Sequence, residues 1–193
     1  MQNHLRKLPQ TLSNLRAEID RIDDALMDLV DERLRASRAI ADAKLSDGGN
    51  RLKLRPKREA ELVARLAARA PGVDIALIRQ IWGALMAYGV QDQQAMELVL
   101  CGEGDRLALQ DAVRVRFGLA ANVHWATDAN EALAAAASRE AVAVIADHAP
   151  LSLDDDLVIF DTIVVEDTTA YAIGRIAPDD VACSDVASWE ASR

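Results

Sequence analysis
Between Leu12 and Lys44, apolar residues return every seven positions in two rows. One is Leu12, Ile19, Leu26, Arg33, Ile40, and the other is Leu15, Ile22, Leu29, Ala36, Ala43. Such a repeat keeps one side of a helix apolar along its whole length, and it predicts a single helix from about Thr11 to Leu45. Thr11, Ser13 and Asn14 offer N-caps, and Asp47-Gly48-Gly49-Asn50 ends the run. Pro56 suits the first turn of a second helix, which stops at Pro71-Gly72. Asp74 caps a third, whose Ile75, Ile78, Ile81, Trp82, Leu85 and Met86 recur at helical spacing. It ends near Gln94 or Met96.

Beyond that point the pattern shortens. Glu97–Cys101 reads as a strand, followed by Gly102 and Gly104 and a helix from about Asp105 to Phe117. A strand near Asn122–Ala126, an alanine-rich helix near Asn130–Ser138 and a buried strand at Ala141–Ala146 come next. Leu157–Phe160, Ile163–Glu166 and Ala170–Ile176 read as further strands. The expected fold class is α+β: an all-α three-helix domain over 1–96, a small α/β domain over 97–178, and a mobile acidic tail over 179–193.

The lengths of these helices bear on assembly. A helix of about 34 residues is about 50 Å long, whereas a domain of about 95 residues has a radius of gyration of about 13 Å. The two shorter helices cannot cover that seam, so a second copy of the chain is expected to bury the remainder as an intertwined homodimer.

Composition agrees with a soluble globular protein, with 51% apolar and 27% charged residues. No run approaches the ~18 apolar residues of a membrane span. Met1–Gln10 lacks the apolar core of a secretory signal. Cys101 and Cys183 are too few for a disulfide framework, so reduced thiols and a cytoplasmic location are expected. The net charge of −9 conceals a division. Residues 1–96 hold 16 basic against 13 acidic side chains, a balance of +3, and residues 97–193 hold 6 against 18, a balance of −12. The acidic second half argues against nucleic acid as a partner.

Charge also marks the candidate site. Arg33 occupies the seam of the first helix, where a guanidinium is unfavourable unless an anion meets it. Either a buried acid or an anionic ligand answers that need. Lys44 lies 11 residues on, close to three turns, so it shares the face of Arg33 at roughly 16 Å. Arg16 is about 25 Å from Arg33 along the axis and about 100° around it, so it serves the same site only from the other copy of an antiparallel dimer. Gly89 and Gln93 share a face of the third helix, and Arg58 and Glu59 stand at the start of the second. The cations Arg16, Arg33, Lys44 and Arg58, with a carboxylate and a neutral amide, would clamp a small polyanion bearing a hydroxyl. There is no Ser/His/Asp set, no metal-ligand cluster and no evident nucleophile, so neither a metal nor a cofactor is expected.

Leu15-Arg16-x-x-Ile19-Asp20-x-Ile22-Asp23, Leu29-x-x-x-Arg33, Ile40-x-x-x-Lys44, Arg58-Glu59 and Gln93 together resemble an all-helical chorismate mutase over about residues 12–94. The resemblance implies an intertwined dimer with composite sites that rearranges the dicarboxylate chorismate to prephenate in aromatic amino acid biosynthesis. It implies that Arg16 of one copy and Arg33 of the other grip the substrate carboxylates. Lys44 and Gln93 would donate to the ether oxygen, Glu59 would bind the ring hydroxyl, and Arg58 would support it. Two positions depart from the family: Gly89 stands where a serine is common, and Arg55 where an acid is frequent. Both are nonetheless expected to line the substrate site.

The second half resembles, more faintly, one truncated lobe of prephenate dehydratase, through Leu100-Cys101-Gly102-Glu103-Gly104, Ala141–Ala146 and Thr169-Ala170-Tyr171. The Thr-Arg-Phe triplet of that family lacks its arginine here, so dehydratase activity is not expected. Gly102 and Gly104 read as a tight turn rather than a phosphate cradle. His4, His124 and His148 are scattered, and Asp154-Asp155-Asp156 reads as a solvated loop. The alternatives to the mutase are an isochorismate-pyruvate lyase on the same scaffold and a non-catalytic dimer that binds a metabolite or a partner protein.

Overall fold
A computed structural model describes residues 11–43, 51–138, 141–146 and 152–181. The chain divides into two compact units between residues 46 and 47. The described part of the first is one helix, α1 (Leu12–Ala43), of 32 residues. Thr11 starts it, its Oγ1 accepting from the Asn14 N–H at 3.3 Å. None of its side chains is buried. Its seam lies open, with Leu12 64%, Leu26 53% and Ile40 52% exposed.

In the second unit, the helices α2 (Pro56–Arg69) and α3 (Ile75–Gln93) precede a five-stranded sheet. Pro56 occupies the first turn of α2, and Asp74 caps α3 by accepting from the Ala76 N–H at 2.8 Å. The strands are β1 (Glu97–Cys101), β2 (Asn122–Trp125), β3 (Ala141–Ala146), β4 (Val158–Val165) and β5 (Thr168–Gly174). Two further helices, α4 (Arg106–Phe117) and α5 (Ala129–Ser138), lie between β1 and β2 and between β2 and β3. A 3-10 turn, Pro178–Asp180, follows β5.

The sheet order is β2-β1-β3-β5-β4, with β1 parallel to both β2 and β3. Because the chain passes from β1 to one side and then back across it, the two crossover helices fall on opposite faces. Residue alternation follows: Leu98, Leu100, Val142 and Val144 pack with Leu109, Val113 and Phe117 of α4. Val99, Ala143 and Ile145 pack with Ala132 and Ala136 of α5. The last two strands are antiparallel, β3 to β5 and β5 to β4. Overall the class is α+β, helical first and a mixed sheet second.

One local reading changes. Leu157–Phe160 and Ile163–Glu166 belong to one strand, β4, rather than two. Its register with β5 jumps between Ile159 and Asp161, a bulge that leaves Phe160 unpaired. Phe160 and Asp161 then both reach α4. The Phe160 ring meets Phe117 edge-on at 6.2 Å, and Asp161 meets Arg116. In sequence this break in alternation looks like a gap between strands.

Helices α2 and α3 pack with the sheet unit, not apart from it. Gly118, with φ of +94°, ends α4, and a Cβ there would stand 3.2 Å from the Ala87 Cβ of α3. The segment before α2 is embedded too. Leu52, Leu54 and Pro56 are buried, and the Leu52 N–H donates to the Arg175 carbonyl at 2.8 Å. Leu52 lies against Gly174, where an added Cβ would come within 2.7 Å of its Cδ1. Among the described residues no helix is long and apolar enough to cross a membrane.

Candidate active site
On α1, Arg16 is exposed and Arg33 half-buried. Burial lowers the Arg33 guanidinium from its ordinary value. That is the direction expected of a cation withdrawn from water. Lys44 lies outside the described residues.

In the second unit, the antiparallel pair α2/α3 brings the first turn of α2 beside the last turn of α3. The Lys53 N–H donates to Gln94 Oε1 at 3.1 Å and fixes that end. Of the candidate residues, Arg55 and Arg58-Glu59 stand at the start of α2 and Gln93 at the end of α3, with Gly89 buried one turn back on α3. Arg58 is exposed, while Glu59 and Gln93 are half-buried.

Two residues of this set form ion pairs with the second half of the chain. Arg55 Nη1 donates to both carboxylate oxygens of Asp180, at 3.1 Å each. Glu59 Oε2 lies 2.9 Å from Arg116 Nη2, and the Arg116 Nε donates to Asp161. The Glu59, Arg116 and Asp161 side chains are only 16%, 26% and 27% exposed, so solvent screens this network weakly. Burial by itself would lower the Arg116 guanidinium, but Glu59 and Asp161 outweigh it and hold the proton more firmly than usual. Removing the Arg116 cation would leave two shielded carboxylates without their counter-charge, at a cost of about 3 kcal/mol.

Arg116, Asp161 and Asp180 were not singled out in the sequence, though one signal was present. Leu109, Val113 and Phe117 form the buried stripe of α4, and Arg116 flanks it. A cation beside an apolar stripe is the same anomaly that drew notice to Arg33. Nothing local could have shown that its partners lie in α2 and β4.

Comparison with known proteins bears on the same region. Residues 15–94 match the family described as chorismate mutase type II, a span of less than half the chain. Intracellular chorismate mutases of Mycobacterium bovis and Mycobacterium tuberculosis are 37% identical over 68 residues. That stretch is 35% of this chain and 63% of each of theirs, so the chain spans a little under two thirds of the relatives it matches. No solved structure shows a significant match.

Proposed function
We propose that this protein is a chorismate mutase, an isomerase that converts chorismate to prephenate. The observation that carries the reading is the family match over residues 15–94, which contains every anchor of the candidate site in order: Arg16, Arg33, Lys44, Arg58-Glu59 and Gln93. The open apolar seam of α1 supports the second half of the proposal, a homodimer in which two copies bury that seam and share two sites. Residues 1–96 then act as the mutase domain, and 97–178 as a single lobe resembling part of prephenate dehydratase without its activity. A cytoplasmic location fits the intracellular relatives.

The reaction is a [3,3] shift within one molecule, so no nucleophile is required. The protein must hold the substrate in its reactive chair and stabilise negative charge growing on the ether oxygen. Arg16 of the partner subunit and Arg33 bind the carboxylates, and Lys44 and Gln93 donate to the ether oxygen. Glu59 accepts from the ring hydroxyl, with Arg58 beside it and Arg55 and Gly89 at the margin. Gln93 is a neutral amide that donates at any pH. The rate is therefore expected to stay nearly flat from about pH 6 to 8. A steep acid optimum would remove Gln93 from its role.

Incubation with chorismate, followed by loss of its ultraviolet absorbance and analysis of the product, tests the reading. Prephenate is the expected product. Pyruvate released from isochorismate would select the lyase, and inertness toward both would leave a binding dimer.

A further inference from the structure
We propose that Arg116 is a positioning residue for the Glu59 carboxylate, so that the α/β part of the chain is a working component of the mutase site rather than an appendage. This rests on the function proposed above, in which Glu59 meets the substrate hydroxyl.

Three observations point the same way. First, Arg116 reaches Glu59 from α4 while Asp161 of β4 holds its Nε, so two elements fix the guanidinium from different sides. A planar fork gripped at two points cannot follow a wandering carboxylate, and it orients the carboxylate instead. Second, Arg116 Nη2 lies 2.9 Å from Glu59 Oε2, and an ionised carboxylate, with about four acceptor positions on its two oxygens, has capacity left for a hydroxyl. Third, the stretch leading to Glu59 is tied to the end of β5 and the turn that follows it. Leu52 bonds to Arg175 and packs on Gly174, and Arg55 pairs with Asp180. The start of α2 is therefore placed by the α/β fold. Asp161 and Asp180, both from the acidic half, supply the anchoring charges.

A purely structural ion pair would affect folding but not substrate affinity. The test is steady-state kinetics on the full chain, with thermal melting alongside. Glu59 would bind the hydroxyl in ground and transition states alike, so loosening it raises KM more than it lowers kcat. Arg116→Met is expected to raise KM about tenfold with kcat within about threefold, the scale of one hydrogen bond to a charged group. Arg116→Lys is expected to recover part of the loss. In a Glu59→Gln background, Arg116→Met is expected to add less than about twofold, because the two act through one contact. Should Arg116→Met fail to fold, Asp161→Asn keeps the cation and loosens its second anchor, and a KM raised about threefold is expected.

A wild-type KM in a folded Arg116→Met or Asp161→Asn protein overturns the inference. So does full additivity with Glu59→Gln. If the unaltered protein leaves chorismate intact, the mutase reading falls and the inference goes with it. Turnover by the unaltered protein with no KM change in the variants sinks the inference alone.

Discussion

Helix α1 and strand β3 treat their apolar residues in opposite ways. Every residue of β3, Ala141–Ala146, is buried, and five of the six are wholly inaccessible. In α1, a helix five times as long, none is. Hydrophobicity is similar in kind but different in destination. The strand is completed by its own chain, with α4 and α5 covering its two faces. The seam of α1 repeats over about 48 Å and is exposed within one chain. A buried apolar segment reports on stability, whereas an open periodic one reports on assembly and on whatever chemistry assembly creates.

The contrast can be broken most sharply at Lys44. Lys44→Ala is expected to cut turnover by about 10²–10³-fold, the scale of losing one donor to developing charge, while the melting temperature stays nearly unchanged. Near-normal turnover would remove Lys44 from the proposed chemistry. Next comes Leu100, fully buried in β1. Leu100→Ala should destabilise the protein by about 3 kcal/mol, read from denaturant unfolding, because the cavity cannot collapse in a close-packed sheet. A loss below about 1 kcal/mol would mean that this core is looser than its burial indicates.

Leu26→Glu sharpens the comparison from the other side. The residue is 53% exposed within one chain, so its replacement should barely disturb the second unit. It should instead split the proposed dimer, seen by sedimentation as a shift to single chains. An unchanged species would show that the seam has another occupant. The smallest effect is expected at Gly174, where a new methyl would press on Leu52 Cδ1 from 2.7 Å. Gly174→Ala should cost about 1 kcal/mol in the melt, with Leu52→Val restoring part of it. No recovery in the double variant would show that the strain lies elsewhere.

The fold was largely legible because its signals are local. The heptads of α1, Pro56 and Asp74 at helix starts, and the all-apolar run of β3 each declare themselves within a dozen residues. β4 was misread as two strands because a bulge breaks the alternation that identifies a strand, and the compensating register shift is visible only against β5. In sequence the candidate site rests on its cations and Glu59, and Arg33 stands out there because a charge on an apolar seam is rare. The partners of Glu59 leave no such mark. Arg116 is 57 residues from Glu59 and 45 from Asp161, and pairing across such distances follows from topology that no local pattern encodes. The grouping of α2 and α3 with the sheet was hidden likewise, because it depends on Gly118 approaching Ala87 and on Leu52 seated over Gly174.

The bulge in β4 has an effect on solubility as well. β4 lies at the outer margin of the sheet, where unpaired backbone groups invite strands from other molecules and lead to aggregation. A kink in that margin, with a carboxylate turned inward beside it, disrupts the flat template that such stacking requires. The residue that anchors Arg116 thus stands beside the kink that blunts this edge, and the kink itself comes from the backbone register rather than from that carboxylate.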